Sequence, residues 1–167
     1  MLAAAFQPIV PHVAFVPYWL HVAAIAATLC FGEIAVRYAL ESRESERRKT
    51  RHALAQLLPS IAAGTLVTFT LCSGVLPPGD AARLLPGLWA LLYALGLFAT
   101  RPLLPRQTGF VALGFLVAGA GLLFASGGAG ASGDPSHWAM GLTFGLGQFG
   151  LASVLRASVE RSPRAST

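Results

Sequence analysis

The chain has 167 residues, 54% of them hydrophobic and only 11% charged, with a formal net charge of +5. A soluble domain of this size carries about 25% charged residues, so the composition excludes an ordinary water-soluble globular domain and makes lipid the expected solvent of much of the surface. The basic excess points to membrane orientation rather than to nucleic acid, which is not expected as a partner.

Five apolar runs follow one another at 14–39, 53–76, 84–104, 108–126 and 137–157. Each approaches the ~20 residues that a helix needs to cross a hydrocarbon core. The prediction is an all-α polytopic membrane bundle of about five transmembrane helices, one domain over 1–157, with a flexible polar tail at 158–167. The opening stretch "MLAAAFQPIVPHVAF" lacks the positive n-region and the small-x-small cleavage site of a signal peptide. The first run is therefore expected to be a retained transmembrane helix.

That first helix carries Glu33, the one acidic residue inside a predicted span. Intramembrane carboxylates are costly and are functional candidates by default. Arg37 stands four residues on, on the same helical face, so an ion pair one turn from the interface is the simpler expectation. Cys30, on this helix, and Cys72, on the next, fall at different depths and are not expected to bridge.

Between the first two runs lies "ESRESERRKTRH", residues 41–52. Arg43, Arg47, Arg48, Lys49 and Arg51 make it the densest basic stretch, diluted by Glu41, Glu44 and Glu46. Lys and Arg accumulate on cytoplasmic loops. With the N-terminus outside, eleven of the twelve basic residues fall on the cytoplasmic side, and only Arg83 lies outside. The cluster is thus expected to be a topology anchor, placing the C-terminus in the cytoplasm of an inner-membrane protein. A juxtamembrane basic stretch can also bind anionic headgroups or a partner. Tyr18, Trp19, Trp89 and Trp138 are expected to form the outer aromatic belt and Tyr38 to mark the inner one.

The second helix holds "GTLVTFTLCSG", where Thr65 and Thr68 share a face and can bond to their own helix or to a neighbour. Pro77 and Pro78 end it, Asp80 is a candidate N-cap and Pro86 a candidate first-turn residue of the third. Pro86 and Pro102 leave the third span's ends the least defined. The fourth and fifth helices are rich in glycine. Gly114 and Gly119, with the G-x-x-x-G pair Gly141 and Gly145, are expected to let backbones pack closely. Gln148, mid-span in the fifth helix, must find a partner inside the bundle.

Histidines His12, His21 and His137 share only a leaflet, and no metal or haem ligand set emerges. No nucleophile elbow, phosphate loop or zinc-protease motif appears, so neither an enzyme nor a cofactor is expected.

The segments "LPSIAAGTLVTFTL", "LLPGLWALLYALGLFA" and "GFVALGFLVAGAGLLF" resemble a group of small bacterial integral-membrane proteins of unknown function. Their helix of the form P-x-x-x-x-G-x-x-x-T precedes an LPG[IL]WxLLYG segment and a Gly-rich helix. The matching residues here are Pro59, Gly64 and Thr68, then Pro86, Gly87, Trp89, Leu92 and Tyr93. Ala94 stands where the group tends to have glycine, and Gln148 where its last helix often has histidine. The resemblance implies a membrane protein often encoded beside a winged-helix repressor. Three functions are consistent with these features. The leading one is a non-catalytic accessory or structural subunit of a larger membrane assembly or homo-oligomer. The others are a small transporter using Glu33, Gln148 and the helix-two hydroxyls, and a membrane sensor linked to a repressor.

Overall fold

A computed structural model describes residues 15–40, 44–127 and 137–161. Among them the chain is all helix: α1 (Phe15–Leu40), α2 (Glu44–Thr70), α3 (Pro78–Thr100), α4 (Thr108–Gly127) and α5 (His137–Arg161). The tail expected at 162–167, His12, and the positions of Glu41 and Arg43 lie outside the described residues. Four helical segments are long and apolar enough to cross a membrane: Val16–Leu40, Thr50–Val75, Gly79–Leu103 and Thr108–Ser126. The fifth expected span coincides with α5, 25 residues long, which is not among those four. Gln148, Arg156 and four glycines dilute its apolar character.

The helix limits differ from the sequence expectation for physical reasons. Helix α2 begins at Glu44, so the basic cluster forms its first turns and is no separate loop. At the other end the α-helix passes into a π turn, Leu71–Val75, in which Gly74 adopts φ 92°. That left-handed geometry suits glycine, and Leu76 then runs extended. Helix α3 starts at Pro78, with Pro77 at the N-cap position and Asp80 in the first turn. Proline at the first helical position forfeits no bond, and a carboxylate there complements the positive helix end.

Pro86 sits inside α3, two turns in. An interior proline deprives a carbonyl of the preceding turn of its donor. Close by, the Ser126 hydroxyl of α4 reaches the Arg83 carbonyl at 3.1 Å while bonding its own Leu122 carbonyl at 2.7 Å. That bond ties α4 to α3 beside the proline, whereas the carbonyl left without its donor is that of Ala82, one residue earlier. At its far end α3 gives way to a 3-10 turn, Arg101–Leu103, containing Pro102. The Thr100 hydroxyl bonds the Gly96 and Leu97 carbonyls, each at 3.1 Å.

Helix α3 is the hub, packed most extensively on α4, then α2, with α5 touching both α3 and α4. Ala90, Ala94 and Leu97 of α3 and Ala112 and Phe115 of α4 form one buried cluster. Here two backbones nearly touch. A Cβ added to Gly119 would lie 2.9 Å from the Gly87 carbonyl oxygen and 3.0 Å from the Leu91 backbone nitrogen. A Cβ at Gly87 would meet Leu123 at 2.7 Å. Gly119 therefore serves the α3–α4 crossing. At the α4–α5 contact, Gly147 leaves room for the Phe115 ring, which any side chain there would strike. Gly114 faces open space, with nothing within 4 Å of an added Cβ. Gly141 is buried and Gly145 half-buried on α5.

A second cluster joins Trp19 of α1, Ala82 of α3 and Met140 of α5, with Val16, Tyr18, Val22, Trp89 and Phe144 around it. It is where α1 meets the bundle. Beyond Ala23, every described residue of α1 except Ile34 is exposed.

Candidate functional site

The polar side chains of α2 and α3 meet in a lateral groove of about 530 Å³. One wall is α2 from Leu57 to Cys72, the floor is Trp89, Leu92, Tyr93 and Gly96 of α3, and Phe144 of α5 closes an end. Leu20 and Ala23 of α1 stand across the opening. The lining is overwhelmingly apolar, and its exceptions are largely satisfied internally. The Thr65 hydroxyl donates to the Ile61 carbonyl at 3.0 Å. Thr68, 5% exposed, donates to the Gly64 carbonyl at 2.7 Å and accepts from the Trp89 indole Nε1 at 2.8 Å. Gly64, Thr68, Trp89 and Leu92 thus face one another across the α2–α3 contact, Leu92 Cδ1 lying 3.7 Å from where a Gly64 Cβ would be.

Gln148 finds its partner in Tyr93: its Nε2 donates to the phenol oxygen at 2.8 Å. The Tyr93 ring packs on Phe115 and Phe144, centroids 4.8 and 6.0 Å away. This aromatic trio ties α3, α4 and α5 together at mid-length. Sequence reasoning flagged Gln148 but not Tyr93 as its acceptor. The signal was present, because both lie near the middle of their helices.

The structure does not gather all the polar candidates. Thr65 and Thr68 line the groove, whereas Glu33 and Gln148 do not. Glu33 is exposed on α1, and the Arg37 side chain lies outside the described residues. The aromatic residues also divide. Trp19 is buried and Trp89 is hydrogen-bonded inside the bundle, so neither serves as a surface belt, and the Trp138 side chain lies outside the described residues. His21 bonds through Nδ1 to the Pro17 carbonyl of its own helix at 2.7 Å. Cys30 and Cys72 are free and exposed.

The basic cluster is sorted by its helix. Arg47 stacks on Tyr38 of α1, 5.1 Å from the ring centroid. Arg48 and Arg51 turn to the face of α2 that also carries His52 and Ala55, where Leu103 closes a second pocket. Nothing is described for the side chain of Lys49.

No known family model, curated protein or solved structure matches the chain. The functional reading therefore rests on the geometry.

Proposed function

We propose that this is a non-catalytic integral-membrane protein of a bacterial inner membrane, built into a larger membrane assembly or a homo-oligomer. The observation that carries the reading is α1. Glu33 and Arg37 apart it is apolar and long enough to span a membrane, yet its buried contact with the bundle is confined to its first turns. The groove beside it is apolar, and membrane helices associate by filling such gaps with van der Waals contact. In this reading α5 is the fifth span, its Gln148 neutralised by Tyr93, and the N-terminus faces outward with the basic turns of α2 in the cytoplasm.

The transport alternative asks for a polar route that includes Glu33. The groove's apolar lining and the absence of Glu33 and Gln148 from it favour the subunit reading. Unchanged flux in Glu33→Gln would dismiss a coupling role for that carboxylate.

Purification from native membranes in mild detergent, with mass spectrometry of what accompanies the chain, tests the proposal. Partners or copies at fixed stoichiometry are expected; a clean monomer would refute it. Orientation is tested separately by an impermeant maleimide on cells carrying Arg83→Cys or Arg106→Cys in a chain without its native cysteines. The first is expected to react in intact cells and the second only after permeabilisation.

A further inference from the structure

We propose that Arg48, Arg51 and His52 form a binding site for a phosphate-bearing anion, the headgroup of an acidic lipid being the natural source. The argument begins with helix spacing. Residues 48, 51, 52 and 55 recur at the i, i+3, i+4, i+7 intervals that place side chains on one face. They line a pocket of about 440 Å³ whose far wall is Leu103, from the 3-10 turn after α3. All of its lining residues are exposed, so it is an open surface depression within reach of a headgroup. Two arginines and a histidine, the latter also in contact with Gln56 at 3.4 Å through Nε2, line it beside an apolar floor of Ala55 and Leu103. Guanidinium groups match phosphate oxygens through paired N–H donors, while the floor suits the first carbons of a lipid.

Among the described residues no carboxylate is paired with Arg48 or Arg51, although Glu44 stands four positions before Arg48. Arg47 is occupied with Tyr38. A bound anion would offset the mutual repulsion of Arg48 and Arg51. The pocket is independent of the apolar groove: on α2 the groove-lining residues Leu57, Gly64 and Thr68 fall on the opposite face by helical rotation. A filled groove and an occupied basic pocket are therefore compatible.

The test uses the full-length chain in an uncharged maltoside detergent, with thermal unfolding as the readout. Phosphatidylglycerol, phosphatidylcholine and inorganic phosphate are titrated separately. Phosphatidylglycerol is expected to raise Tm where phosphatidylcholine does not. The double variant Arg48→Gln/Arg51→Gln should weaken that response roughly thirtyfold, as expected for two arginines at an anionic surface. Arg106→Gln, an exposed arginine outside the pocket, should respond like the parent. Ala55→Phe, which fills the pocket and leaves every charge in place, should lose the response as well. An equal response to inorganic phosphate would support the site and name a soluble anion as its occupant. The proposal is overturned if no anion stabilises the chain. It is equally overturned if Ala55→Phe binds normally or Arg106→Gln loses as much as the double variant, since diffuse charge would then account for the effect.

Discussion

Helices α3 and α1 are about equally apolar and long, yet half of the most apolar stretch of α3 is buried against 6% of that of α1. Hydrophobicity alone cannot separate them, because in lipid an apolar helix gains nothing by leaving the bilayer for a neighbour. What distinguishes α3 is relief. Gly87 and Gly96 allow α4 and α2 to approach its backbone, with Ser60 3.2 Å from a Gly96 Cβ and Gly119 opposite Gly87. Helix α1 offers Leu20, Ile25, Leu29, Phe31 and Val36 outward, and the space beyond an added Gly32 Cβ is open. Among the described residues α1 presents knobs without matching holes, which is the ground for the proposal that it packs on a partner.

This contrast can be broken most forcefully at Gly119. Gly119→Leu would drive a side chain into backbone atoms of α3 that cannot move aside, and we expect about 3 kcal/mol of destabilisation, read as lower Tm in detergent. Gly114→Ala, on the same helix but against open space, should leave stability unchanged or raise it by up to about 1 kcal/mol. Equal losses at both positions would mean that the α3–α4 approach is not what holds the bundle.

Smaller effects sharpen the picture. Trp89→Phe removes the indole donor to Thr68 and should cost about 1 kcal/mol, with Thr68→Val costing a similar amount. Because both act on one bond, their double variant should lose little more than either alone, a non-additivity that a double-mutant cycle would reveal. Gln148→Leu deletes the bond to Tyr93; interhelical bonds in membranes average about 0.6 kcal/mol, so a shift of that order is expected. Least of all should happen at Leu29, 69% exposed. Leu29→Ala is expected to change the isolated chain's stability by no more than about 0.5 kcal/mol while weakening its association with partners.

The sequence made helices legible because apolar length and proline punctuation are local properties. Four of the expected runs reappear as helices able to span a membrane. Pro86 suggests a first-turn residue and a start near 84, but Pro78 fills that role and the helix begins six residues earlier. Partners were harder to foresee. Gly119 was legible as a packing glycine, but its mate Gly87 lies in another helix, and only the crossing of α3 and α4 reveals it. Trp89 read as an interfacial aromatic because depth was inferred from helix order; its bond to Thr68 depends on how α2 and α3 are rotated, which no single-helix pattern encodes. The basic pocket was half legible: the charges were evident, but Leu103, its far wall, arrives from 48 positions beyond Ala55.

The central claim, that the bare face of α1 is covered by protein, is tested most directly by placing a photo-crosslinking amino acid at position 29 and irradiating intact membranes. We expect one discrete protein adduct of defined mass, absent when the same group is placed at Phe124 of α4, which is 88% exposed. Adducts to lipid alone at position 29, as at position 124, would contradict the account and leave α1 as a helix covered only by the bilayer.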